Sequence, residues 1–104
     1  MQLLFDSQGR FIASEESGRL HSCGGANIGH YRSAERIFVD LSGRYLGEVV
    51  LGNRLLRHRR SQYRNIGFAV QGAYDNIGTI GNPGSAGIME PMDGYVDVAA
   101  TRLA

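Results

Sequence analysis

Leu4-Phe5-Asp6-Ser7-Gln8-Gly9-Arg10-Phe11-Ile12-Ala13 is a stretch with a grammar. An apolar pair leads into Asp-x-x-Gly, two residues follow, and an aliphatic residue and a very small one close it. The word returns as Leu20-His21-Ser22-Cys23-Gly24-Gly25-Ala26-Asn27-Ile28-Gly29 and as Phe38-Val39-Asp40-Leu41-Ser42-Gly43-Arg44-Tyr45-Leu46-Gly47. A fourth copy is worn: His58-Arg59-Arg60-Ser61-Gln62-Tyr63-Arg64-Asn65-Ile66-Gly67. Asp opening a four-residue turn that Gly closes predicts a type I turn followed by a left-handed residue. Such a turn joins two antiparallel strands through a three-residue loop with a bulge. Asp6, Asp40, Gly9 and Gly43 are therefore assigned to turn chemistry rather than to catalysis.

Working outward, second turns fall at Ser17-Gly18, Ser33-Ala34-Glu35, Gly52-Asn53 and Gln71-Gly72, flanked by short β-rich runs. No window carries a sustained helical period. The reading is all-β: a meander of about eight strands from Met1 to about Tyr74, two per repeat. Hairpins that cannot bury a face alone must share a centre, so four of them form a pseudo-fourfold, flower- or propeller-like array. Ala13, Gly29, Gly47 and Gly67 would stand where backbones crowd. Ile12, Ile28, Leu46 and Ile66 would fill the middle. The whole of 1–104 is one domain, with residues 75–104 as a Gly-rich extended tail packing on the repeats 1–74. Tyr74-Asp75-Asn76-Ile77-Gly78 restarts the word and fails, as a partial fifth copy that latches against the first. Gly78, Gly81, Gly84 and Gly87 then stand three apart. That spacing suits either an extended left-handed helix lying on a surface or a flexible Gly/Ser/Pro loop. Tyr95-Val96-Asp97-Val98 alternates as a last short strand.

With the four words and the Gly-Asn-Pro-Gly tail laid out, the chain resembles the small bacterial proteins called the four-fold β-flower family. The resemblance implies four hairpins in pseudo-fourfold array and carries no catalytic residues. Ser22 replaces Asp in the second word, and Arg60 and Tyr63 stand where the fourth should have Asp and Gly.

Composition narrows the partners. Net charge is +1 and all eleven basic residues are arginine. A balanced charge argues against extended nucleic-acid binding. Arg in place of Lys matches a GC-rich coding bias, and Arg forks also clasp phosphates and carboxylates. One cysteine allows no internal disulfide, and no apolar run reaches the ~20 residues that span a bilayer, so a cytoplasmic chain without membrane contact is expected.

Candidate chemistry gathers in the worn fourth copy. Arg57, His58, Arg59, Arg60 and Arg64 follow one another without an acidic neighbour, and Arg54 precedes them. In an extended strand Arg57 and Arg59 share one face while His58 and Arg60 share the other. His58 would take the place held by Leu4, Leu20 and Phe38. Arg10, Arg44 and Arg64 share the position after the Gly slot and would form an anion-binding rim. The competing readings are a charged edge strand that blocks aggregation, or pairing with Glu15-Glu16 or Glu90 and Asp93. His21, Cys23 and His30 lack the spacing of a metal site, and no metal or other cofactor is expected. The favoured function is a non-enzymatic binding module, expected as a homo-oligomer, contacting an anionic small molecule or an acidic protein surface through arginines. The alternatives are a small hydrolase or transferase on phosphorylated substrates with His58 or His30 as acid/base, and a purely structural subunit.

Overall fold

The computed structural model describes residues 1–104 and is all-β apart from one 3₁₀ turn at Ala100–Arg102. Its strands are β1 (Gln2–Phe5), β2 (Phe11–Glu16), β3 (Arg19–Ser22), β4 (Asn27–Arg32), β5 (Ile37–Asp40), β6 (Tyr45–Val50), β7 (Arg54–His58) and β8 (Tyr95–Asp97). Neighbours in sequence pair antiparallel, and β1 closes on β7 in parallel at Phe5↔Arg54, giving a seven-stranded barrel. No helix is long and apolar enough to cross a membrane.

Three turns follow the repeated word. At the first, the Asp6 carboxylate accepts the amides of Gln8 and Arg10 at 2.9 Å each, and Gly9 sits at φ +85°. At the third, Asp40 accepts those of Ser42 and Arg44, and Gly43 sits at φ +84°. In the second, the Ser22 hydroxyl accepts Ala26 N–H at 3.3 Å, a longer contact than the carboxylates make. Each hairpin carries the expected slip in register, at Leu4/Phe5, Leu20/His21 and Phe38/Val39. Leu4, Leu20 and Phe38 then face Ala13, Gly29 and Gly47 across the strands. With Leu46, Leu55, Val98 and Leu103, the three large residues and Ala13 form the buried interior. A Cβ on Gly29 would stand 2.2 Å from Val39 O and one on Gly47 2.5 Å from Leu56 O, so both positions are crowded as expected.

The fourth word departs from expectation. Only seven strands lie within residues 1–74, because nothing after β7 folds back as its partner. Gly67 has open space around it and Ile66 is exposed, so neither joins the centre. The inward position in β7 belongs to fully buried Leu55, three residues before His58. The strand that pairs with β7 is β8, in the register Leu56↔Asp97 and His58↔Tyr95. Residues 59–68 turn back over the outside of the barrel, where Tyr63 and Phe68 cover Ile37, Val39 and Tyr45.

Between Gly67 and Gly94 the chain makes a lap of the barrel as an extended belt. Phe68 N–H donates to Gly43 O, Ile77 N–H to Gly25 O and Ala86 N–H to Gly9 O, at 2.8–3.0 Å. Gln71 N–H, Ile80 N–H and Met89 N–H donate to Leu41 O, Cys23 O and Ser7 O. Residues 68, 77 and 86 are nine apart, as are 71, 80 and 89, so each nine-residue unit crosses one turn. The turns are visited in reverse order, and the belt returns to its start, where Arg59 N–H donates to Gly94 O. The glycine spacing thus belongs to a docked element rather than a loose loop. The stretch at Ile77-Gly78 latches onto the second word, not the first, as Ile77 N–H meets Gly25 O.

Candidate functional site

The arginines expected to form one rim are used differently. Arg10 and Arg44 do occupy equivalent positions, each with its amide on the turn carboxylate. Arg64 does not share that role, since its amide and guanidinium both bond Ser61 O. Arg10 Nε lies 2.9 Å from Asp6 Oδ2, leaving its terminal nitrogens free. Arg57 lies over the Tyr45 ring at 5.8 Å. β7 ends at His58, so the alternation of faces does not extend to Arg59 and Arg60, both exposed in the turn beyond. Arg60 reaches Asp93 at 3.8 Å, an exposed pair worth about 0–1 kcal/mol. Arg59 and Arg44 make no side-chain hydrogen bond or ion pair.

His58 is committed to local structure. Its amide donates to Tyr45 Oη at 3.0 Å, its Nδ1 accepts Arg60 N–H at 3.1 Å, and its ring stands edge-on to Tyr95 at 4.8 Å. The Tyr95 hydroxyl donates to Glu48 at 2.9 Å. Burial, then that hydrogen bond and the nearby Glu48 charge, push the Tyr95 phenol up to about 12. A raised phenol keeps its full stabilising effect below pH ~10 and loses it as pH climbs toward the folded value. Tyr95→Phe is therefore expected to flatten the alkaline limb of a urea-unfolding series between pH 9 and 12. An unchanged limb would remove Tyr95 as its source.

The opposite sign holds at Asp40. Burial raises its carboxyl, but the Arg44 amide, the Ser42 hydroxyl and the Arg102 guanidinium outweigh burial and hold it below the ordinary carboxylate value. Asp40 thus stabilises the fold above pH ~4 and loses that effect as pH falls through the folded value. Asp40→Asn should cost about 1–3 kcal/mol at pH 7 and much less at pH 2.5, measured by chemical unfolding. Equal losses at both pH values would contradict the assignment.

Two buried polar residues hold the belt: Arg54, read from the sequence only as the head of a basic run, and Asn27, which was not singled out. Arg54, 8 % exposed, donates to Asp6 O at 3.0 Å, Gly87 O at 2.7 Å and Ala86 O at 2.9 Å. Asn27 accepts Tyr74 N–H at 3.0 Å while its amide group donates to Leu20 O and Gly29 O. The available signal was a nine-residue echo, Asn76-x-Gly78 and Ser85-x-Gly87. In each, the first side chain accepts the glycine amide and the glycine takes positive φ.

His21 is 2 % exposed and its Nδ1 has no partner, while Cys23 donates its thiol to Phe11 O at 3.4 Å. Burial raises the Cys23 thiol against a lowering backbone hydrogen bond, which makes it a poorer nucleophile at neutral pH. Burial, then the Arg32 charge, lowers His30. No three His, Cys, Asp or Glu side chains converge on one point.

Of the seven residues proposed from sequence, Arg10 alone lines one of the five main clefts. Comparison with protein-family models, curated proteins and solved structures finds no match.

Proposed function

We propose that the protein is a non-enzymatic interaction module that presents the Arg57–Arg60 end of β7 to an acidic protein surface. The carrying observation is that Arg59 is exposed and unpaired beside Arg60, whose one ion pair is long and solvated, and that neither lines one of the five main clefts. An exposed cationic edge outside the main clefts suits a broad acidic partner better than a small ligand. With His58 Nδ1 occupied by a backbone amide, a hydrolase or transferase reading has no free base in this cluster. The finer architecture, four hairpins in a pseudo-fourfold array as in the β-flower resemblance, belongs to this proposal. The β7–β8 pairing supports it as a fourth hairpin whose connection is the belt. A homo-oligomer is part of the same reading, supported by the exposed side chains of Val70, Ile88 and Leu51.

Binding of a fluorescent poly-glutamate peptide, followed by anisotropy at low and moderate salt, tests it. Wild type should bind in a salt-dependent way, and Arg59→Glu with Arg60→Glu should weaken binding about tenfold or more. Absence of binding at low salt, or indifference to the reversal, would refute the module as described.

A further inference from the structure

The belt misses one step, and a cleft opens there. Amides at 68, 71, 74, 77, 80, 86 and 89 all donate to the barrel, every third residue, with a single gap at 83. Residue 83 is proline and has no N–H to give. The barrel lacks the matching acceptor as well. Asn27 receives the Tyr74 amide two residues after the turn glycine Gly25, and the corresponding residue after Gly9 is Phe11. The clasp is thus absent on both sides at once. A cleft of about 500 Å³ lies at this place, bordered by Arg10, Phe11, Cys23, Ile80, Asn82 and Ser85.

Its polar lining consists largely of donors. Asp6 holds Arg10 by Nε, so the two terminal nitrogens of the fork remain available. Asn82 Oδ1 accepts Gly84 N–H, which leaves its Nδ2 as a donor. The amides of Asn82 and Ser85 meet no acceptor within the chain. No carboxylate lines the cleft; Asp6 touches it only through Arg10. The apolar side is supplied by the half-buried Phe11 ring and by Ile80.

We infer that this cleft is a binding site for a small planar ring bearing a phosphate or carboxylate. The ring would pack on Phe11 and Ile80, and the anion would meet the Arg10 fork and the Asn82 donors. The site is separate from the Arg57–Arg60 surface and does not depend on it.

Phenyl phosphate serves as the probe, with inorganic phosphate and benzoate as comparison arms, read by amide chemical shifts. Phenyl phosphate should perturb Arg10, Phe11, Ile80 and Asn82, and inorganic phosphate should bind about tenfold more weakly. Benzoate matching phenyl phosphate would assign the anion as a carboxylate or either group. Arg10→Gln removes the fork and its charge and should weaken binding about tenfold in a chain whose amide spectrum stays that of the folded protein, even though the variant also gives up the Arg10–Asp6 pair. Phe11→Asn combined with Pro83→Ala should restore the missing clasp, close the cleft and abolish the shifts. Shifts confined to the Arg57–Arg60 end, no response at millimolar probe, or inorganic phosphate binding as tightly as phenyl phosphate would each overturn the inference.

Discussion

Gly25→Ala is expected to unseat the belt, whereas Gly18→Ala should leave it in place. Both glycines hold positive φ, +93° and +81°, so a side chain at either costs about 1–2 kcal/mol in backbone strain. Their surroundings differ. Nothing lies within 4 Å of a Cβ built on Gly18, while one on Gly25 would stand 2.2 Å from Gly78 O. That neighbour is backbone and cannot swing aside as a flexible side chain would. Relief requires the belt to lift, losing the hydrogen bonds from Ile77 to Gly25 O and from Ile80 to Cys23 O. Each is worth about 1 kcal/mol. Gly25→Ala should therefore cost about 3–4 kcal/mol, against about 1–2 for Gly18→Ala, and at this chain length each kcal/mol lowers the melting temperature by roughly 4–8 °C. Faster amide exchange at Ile77 and Ile80 in the first variant alone would locate the damage. Equal melting shifts for the two alanines would show that the belt does not bear on Gly25.

Arg54→Ala should be the most damaging single side-chain truncation outside the apolar interior. Its guanidinium ties a barrel carbonyl, Asp6 O, to two belt carbonyls, Ala86 O and Gly87 O. Hydrogen bonds from a charged donor contribute about 1.5–3 kcal/mol each, with strong non-additivity in a shared group. A loss of about 3–4 kcal/mol is expected. Lysine carries the charge but not the fork, so Arg54→Lys should recover less than half of it. Amide exchange at Ala86 and Met89 should accelerate, while Phe68 and Gln71, anchored at the β5–β6 turn, keep their protection. Uniform acceleration along the belt, or none, would argue against a local clasp.

The three intact words were legible because their chemistry is local. Asp6 and Asp40 fold their own turns, and Gly9 and Gly43 supply the left-handed residue, within five consecutive positions each. The fourth word misled because its pattern was carried past the strand end. Alignment of the repeated word placed His58 in the slot that Leu55 fills, and no local signal reports that the pairing strand lies beyond residue 94. The glycine triplets were visible, but a period of three states only that a face repeats. What that face meets depends on carbonyls of turns up to about eighty positions away in sequence, as with Met89 and Ser7. Arg54 looked like one member of a basic run and is instead buried, because closure of β1 on β7 brings Asp6 over it.

Sequence alone therefore settled the all-β class, the three tight turns with their register slips, and the small residues at Ala13, Gly29 and Gly47. Each follows from backbone preferences and crowding between adjoining strands. Tertiary structure decided the barrel closure, the lap of the belt and the partnership of β7 with β8. These rest on hydrogen bonds and steric fits between distant segments, whose free energy appears only once the ends have met, and no short stretch of residues encodes such a meeting.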